Sequence, residues 1–399
     1  MKPTVLFVTE IRPYPLHGGM HIHIYNVLES LCRHFQVIVL APPVAAECPL
    51  LNWVVKWRPL PEYEISLSAK ATNGRHLLQP RPAWQACLQA LLQEYQPHVV
   101  WFNYGHWGQY APLVHRYGAI AVMRSHNVQS EITRQRAATL SGQPVWIPTR
   151  LRAWLEAYHE RHLFRHFDRV VSVTEIDRRY HAQFVGDRRS RLIPNYINER
   201  RYEGQAALQR AEQLLILTGS FDSFQNVQGV VWFNREIWPQ LKAAWPTVRL
   251  QLVGTGAQNL PDAILQDQQI EAIDSVPDMV PYLRNATIAV VPLRHGSGMR
   301  FKILEALACE LPVVSTTLGA RGIVATNGES MLLADSAADF TQAILMLLHD
   351  RAKRTQLAEQ GLAILRQHYT AAVNTTLIRQ LVEEVTCQTL KPLKRIPRS

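Results

Sequence analysis

Two doubly wound, Rossmann-like α/β domains in tandem are the architecture that this chain predicts. Three observations carry the prediction: the length, a series of short β-branched runs separated by helical stretches, and a restart of that series halfway along. At 399 residues the chain exceeds what one ordinary core covers, and two domains of just under about 200 residues each fit the usual size range. With 47% apolar and 19% charged residues and no long Gly/Ser or acidic run, a disordered or fibrous class is excluded.

In the first half the predicted strands are TVLFVTE from Thr4, QVIVLAP from Gln36, HVVWFN from His98, AIAVMRSH from Ala119, RVVSVT from Arg169 and RLIPN from Arg191. Most are continuous apolar runs, the pattern of parallel strands buried on both faces. The series restarts with LLILTGS from Leu214, VRLQLVG from Val248, IEAIDSV from Ile270, TIAVVPL from Thr287, LPVVST from Leu311 and SMLLAD from Ser330. This divides the chain into an N-terminal domain over 1–198, a polar linker over 199–213, a second domain over 214–370, and a C-terminal helix with a frayed basic tail over 371–399. Ligands of such sheets sit beyond the carboxyl ends of the strands, so two facing sheets place a site in the cleft between them.

The start of the chain offers Lys2 and only the run Val5 to Val8 before Glu10 and Arg12, too short for a signal peptide or a membrane span. Five cysteines, Cys32, Cys48, Cys87, Cys309 and Cys387, lack the paired spacing of a zinc site or disulfide frame, which suits a reducing cytoplasm. The net charge of +10 is lopsided: residues 1–200 hold 23 Lys/Arg against 14 Asp/Glu, whereas residues 201–399 hold 19 against 18. An anionic partner is expected. Nucleic acid is not, because the basic half lacks a reader motif.

The first informative loop, IRPYPLHGGMHIHIY, sets Gly18 and Gly19 before a helix. Paired glycines let backbone amides approach an anion at a helix N-terminus, and a plain tight turn is equally open on this loop alone. In VGTG, Gly254 and Gly256 follow a strand, but Asn259 stands where a third glycine of a dinucleotide fingerprint belongs, so a strand-ending turn is the better account.

The richest segment runs from Val290 to Ile323, VVPLRHGSGMRFKILEALACELPVVSTTLGARGI. Gly296 and Gly298 free the backbone for close approach, and Arg300 and Lys302 enter the first turn of the following helix. Cations there oppose the macrodipole, and a bound diphosphate would resolve the conflict. Glu305, in an otherwise apolar helix, is suited to accept the hydroxyls of a ribose.

This segment resembles the donor-binding signature of the retaining GT-B glycosyltransferases of family 4. The similarity runs from about Val5 to Leu348: the HGG loop, SHNVQSE at Ser125, RVVSVTEID, IPNYIN at Ile193, TGSFDSFQN, GSGMRFKILEALA and PVVSTTLGARG fall in the family's order. The resemblance implies a nucleotide-sugar donor of UDP or GDP type, held mainly by the second domain as co-substrate, with no cofactor, and an acceptor glycan or lipid-linked saccharide on the first. Carried over by position, His126 lies near the transferred sugar, Arg300 and Lys302 near the diphosphate, and Glu305 on the ribose. These make His126, Arg300 and Lys302 the catalytic candidates, and Gly18, Gly19, Ser220, Asn226, Gly296, Ser297, Gly298, Met299 and Glu305 the donor-binding ones.

Two departures stand out. Where the family has a first glutamate, eight positions before the second, this chain has Ser297. Where many members have an Arg and a Lys reaching the phosphates, TGSFDSFQN offers Ser220 and Asn226. No acids cluster beside the glycine loop, so metal independence is expected, the leaving diphosphate being balanced by Arg300, Lys302 and helix N-termini. A retaining outcome follows from the resemblance alone, with front-face attack and a donor phosphate oxygen as base. A catalytically silent sugar-nucleotide binding subunit and a nucleotide-sugar epimerase are the alternatives.

The basic helix RLRAWLEAYHERHLFRHF from Arg150 has two readings: a surface lying on an anionic membrane, with the protein peripheral to its inner face, or a buried connector with a solvated basic face. Three acids, Glu156, Glu160 and Asp168, dilute its charge and favour the connector.

Overall fold

The computed structural model describes residues 2–16, 18–61, 80–143, 145–202 and 211–389. The first sheet has seven parallel strands: β1 (Thr4–Val8), β2 (Gln36–Ala41), β3 (Lys56–Pro59), β4 (Val99–Asn103), β5 (Ile120–Ser125), β6 (Arg169–Ser172) and β7 (Ser190–Leu192), in the order β3-β2-β1-β4-β5-β6-β7. The second has six, β8 (Leu214–Thr218), β9 (Arg249–Val253), β10 (Ile270–Ile273), β11 (Ile288–Val291), β12 (Val313–Ser315) and β13 (Leu332–Leu333), in the order β10-β9-β8-β11-β12-β13. Each sheet therefore reverses direction once, at β1/β4 and at β8/β11, which is the doubly wound pattern.

Every predicted strand forms, because side chains one apart on these apolar runs feed opposite faces of the sheet. Leu6, Val8, Val100 and Phe102 pack with Leu88, Trp107 and Phe167 on one face. Val5, Phe7, Val99 and Trp101 pack with Leu28 and Leu31 on the other. The same sorting puts Leu215, Leu250 and Ile288 against Phe233 and Phe340, and Ile216, Val253 and Ala289 against Ile303 and Leu307. The strand that the sequence pattern did not predict is β3. It lies at the sheet edge with Lys56, Arg58 and Pro59 exposed, so it carries the blunting residues of an edge rather than an apolar run.

The chain crosses between the lobes twice, and the crossings run side by side. The Ile197 N–H donates to the Tyr369 carbonyl at 2.9 Å, and Ile197 bridges Thr370 in parallel. Past the second crossing, the helix Ala371–Thr389 returns to the first lobe, where Ile378, Leu381, Val382 and Val385 complete the core beside β1 and β4. Glu384 on this helix takes Arg169 at 3.0 Å and Arg191 at 2.9 Å. The predicted basic tail, from residue 390 on, and residues 203–210 of the linker lie outside the described residues. Among the described residues, no helix is long and apolar enough to cross a membrane.

Candidate functional site

The carboxyl ends of both sheets open onto a cleft cavity of about 490 Å³. Its second-lobe wall forms where the loops after β8 and β9 touch. Gly254 has φ +138°, and a Cβ there would lie 2.1 Å from the Gly219 carbonyl oxygen, so only glycine allows the approach. A Cβ on Gly219, φ +152°, would lie 2.7 Å from the Lys302 ammonium. That vacancy is the slot through which Lys302 reaches from the helix Phe301–Ala308 to the β8 loop, where its Nζ donates to Asn226 Oδ1 at 3.0 Å. Asn226 in turn donates from Nδ2 to the Ser220 carbonyl at 2.7 Å. Burial first, and Arg300 second, push Lys302 down to about 7.

Arg300 occupies the N-cap of this helix without capping it. Its Nη1 donates to the Ser297 carbonyl at 2.6 Å, whereas Nε and Nη2 are buried without a protein partner. Burial, then Arg321, lowers it to about 10. A cation with two unspent donors, at a helix entrance whose own amides lack a side-chain cap, is an anion site in waiting. One turn on, Glu305 accepts from the Tyr202 hydroxyl at 3.1 Å, and burial raises its pKa. Arg201, which pairs with Asp278 at 3.6 Å, lines the cavity near it.

The first-lobe wall is built differently. The helix Gly19–His34 starts at the cleft with Gly18 as an N-cap that offers no side chain. A Cβ on Gly19 would come within 2.9 Å of Phe301 Cβ, so the lobes meet here. At the end of β5, the His126 ring packs edge-on to His23 at 4.5 Å and against Tyr104 at 4.7 Å. Behind them Arg124 is wholly buried; its Nε donates to His23 Nε2 at 2.9 Å and its Nη2 to the Pro194 carbonyl at 3.0 Å. Arginine only donates, so His23 accepts at Nε2 and is a neutral ring with its proton on Nδ1. Burial, reinforced by Arg124, pushes His126 down to about 3 and His23 well below its ordinary value.

Of the residues singled out from sequence, the cavity brings together Gly18, Gly19, His126, Ser220, Asn226, Ser297, Met299, Arg300, Lys302 and Glu305. Gly296 and Gly298 are not on its wall. Their missing side chains admit protein instead: a Cβ on Gly298 would lie 2.2 Å from the His126 carbonyl oxygen, and one on Gly296 2.1 Å from Arg300 Nη2. The glycine loop sutures the lobes. Ser297 Oγ accepts from the Val128 N–H at 2.7 Å and donates to the Val128 carbonyl at 3.2 Å, and the Gly296 N–H donates to Gln135 Oε1 at 2.5 Å. Arg321 adds ion pairs across the gap to Glu131 at 2.9 Å and Asp177 at 3.2 Å.

Sequence reasoning missed Arg201, Tyr202 and His23. The first two were absorbed into a stretch read as linker. His23 is one of thirteen histidines in the first 200 residues, and nothing in its neighbours marks it. Its signal is three-dimensional: a buried arginine that has a histidine where a carboxylate is usual.

Two doubly wound sheets sharing a cleft with a cationic helix entrance define a two-lobed molecule of GT-B type. Comparisons with known proteins agree along nearly the whole chain. Residues 18–196 match a glycosyl transferase 4-like domain, and residues 212–350 match the glycosyl transferases group 1 family. A Klebsiella pneumoniae protein, described as an uncharacterized 44.6 kDa protein in the cps region, is 21% identical over 163 residues, 39% of this chain. The match spans 42% of that relative's own length. Among solved structures, a sucrose-phosphate synthase from Thermosynechococcus elongatus superposes with a TM-score of 0.76 at 16% identity, covering 97% of this chain and 100% of that one. Anabaena HepE in complex with UDP-glucose superposes at 0.70 and 14%, covering 96% and 99%. The first lobe is thus a glycosyl transferase 4-like domain and the second a group 1 glycosyl transferase domain, the two set in a GT-B fold.

Proposed function

We propose that the protein transfers a glycosyl group from a nucleoside-diphosphate sugar to a glycan or lipid-linked saccharide, with retention and without a metal ion. The observation that carries the reading is the convergence of Arg300 and Lys302 on the cleft at one helix entrance, Arg300 with two donors unspent. The HepE structures hold UDP and UDP-glucose, which supports a uridine donor. Retention and front-face attack are supported by the resemblance to family 4.

On this reading the diphosphate lies between the Arg300–Lys302 corner and the Gly18–Gly19 helix entrance, with the ribose on Glu305. The bond from the anomeric carbon to the diphosphate oxygen breaks, and that oxygen keeps the electron pair. A bond from the acceptor oxygen to the same carbon forms on the same face. The acceptor proton passes to a departing phosphate oxygen, because His126, held at about 3, is a poor base. Its neutral ring orients the sugar. Charge growing on the leaving group is met by groups already in place, which is where prearranged donors lower a barrier most.

A thermal-shift panel of UDP, GDP, ADP and their sugars, followed by a product assay with the best binder, tests the proposal. Stabilisation by one diphosphate, with acceptor-dependent release of it, is expected. Binding without turnover would leave a silent sugar-nucleotide subunit. Conversion of the donor with no acceptor present would make it an epimerase, and no binding of any nucleotide would end the proposal.

A further inference from the structure

The helix Trp146–Phe164 is not the buried connector that its acids suggested. Ile147, Leu151, Trp154 and Tyr158 recur at spacings of four, three and four, so they form one stripe. That stripe faces outward: Ile147 is 69% exposed, Trp154 64% and Tyr158 53%. Val145 continues it at the N-terminal end, and the Trp154 and Tyr158 rings stack at 6.1 Å. From Ile147 to Tyr158 the stripe is about 16 Å long at the helical rise.

The charges are sorted around it. Glu160 is turned inward, where its carboxylate takes the Ser130 N–H at 3.1 Å, the Ser130 hydroxyl at 2.6 Å and the Tyr180 hydroxyl at 3.1 Å. Asp168 receives the Ala121 N–H at 2.8 Å and His115 at 2.9 Å. Glu156 lies on the side opposite the stripe, paired with Arg152 at 2.8 Å. The groups that share the solvent face with the stripe are Arg150, Arg161, His162 and Arg165, all exposed. The dilution of charge seen in sequence is therefore removed by the fold.

We infer that this helix is the surface by which the protein lies on an anionic lipid bilayer. The complement it presents is apolar along the centre and cationic at the edges, with a Trp and a Tyr whose amphipathic rings suit the headgroup boundary. Exposed cations would oppose a second copy of the same face, whereas anionic headgroups answer them. The helix packs on Gln129–Thr139, which begins three residues after His126 and carries the Gln135 that holds the glycine loop. The bilayer would thus lie two packed helices, roughly 20 Å, from the cleft, on the side of the first lobe where an acceptor carried on lipid would approach. The membrane contact itself does not depend on the donor assignment.

The test is co-sedimentation of the full chain with phosphatidylglycerol-containing vesicles against pure phosphatidylcholine, at low and high salt. Wild type is expected to sediment with the anionic vesicles and to be released by salt. Two double variants separate the contributions: Leu151→Ser with Trp154→Ala, and Arg150→Glu with Arg161→Glu. Each should weaken partitioning at least about tenfold, with an unchanged melting curve and unchanged nucleotide-induced stabilisation, since these side chains touch neither core nor cleft. Absence of wild-type binding to anionic vesicles at low salt overturns the inference. So does a concentration-dependent dimer that the Leu151→Ser, Trp154→Ala variant abolishes, which would make the stripe an interface between copies.

Discussion

Of the two walls of the cleft, one is charged and the other is not. The second lobe presents Arg300, Lys302 and Glu305. The first presents Gly18, Gly19, His23, His126, Asn127 and Asn195 and, among the described residues, no Lys, Arg, Asp or Glu. Burial and the hidden Arg124 keep two of its histidines uncharged. One wall is suited to hold an anion and the other to shape hydrogen bonds around an uncharged group. The comparison teaches that the lobes differ in polarity, and on the proposed reading the charged wall carries most of the contact to the diphosphate and the neutral wall faces the sugar.

The largest way to break this division is to remove charge from the second wall. Arg300→Ala should lower turnover by about 10²- to 10³-fold, with a smaller loss of nucleotide affinity, because the charge matters most as the diphosphate leaves. Equal losses in steady-state turnover and in calorimetric affinity would reduce Arg300 to a binding group. Next in size, Glu305→Ala should weaken nucleotide binding by roughly 1.5 to 3 kcal/mol if its carboxylate holds the ribose, and isothermal titration with UDP reads this directly.

A subtler effect comes from pH. Burial and Arg300 hold Lys302 at about 7, and a diphosphate beside it would favour its charged form. Affinity should therefore be full below pH 7 and fall above it, by at most about tenfold per pH unit, with proton uptake on binding. Lys302→Arg, charged throughout, should flatten the fall; a profile identical to wild type would assign the dependence elsewhere. The smallest effect sharpens the contrast between the lobes. Ser297→Ala should leave the order of donor preference untouched, because its hydroxyl is spent on Val128, and should cost only about 1 kcal/mol of stability, as a thermal melt would report. A switch of preferred sugar in that variant would return Ser297 to the ligand.

Much of this was legible beforehand, for a physical reason. Strands buried on both faces must be continuous apolar runs, so the twelve strands that pass through the sheet interiors or carry apolar edges were readable. β3 was not, because an edge strand bearing Lys56, Arg58 and Pro59 looks like a loop. The charged wall was readable because one strand–loop–helix unit, from Val290 to Ile323, holds most of it. The neutral wall is made of single residues from the ends of separate elements, and no linear pattern brings His23 to Arg124 or Tyr104 to His126. The helix at Trp146 misled in the other direction. Counting its charges averages around the axis, whereas folding sorts Glu156 and Glu160 to one side and Arg150, Arg161 and Arg165 to the other.

The return of the helix Ala371–Thr389 to the first lobe sets an order on synthesis. Residues 1–198 leave the ribosome long before Ile378, Leu381 and Val385 are made, so the first sheet waits with an apolar flank open until residues 371–389 follow. The helix that completes the first lobe is translated only after the whole of the second sheet.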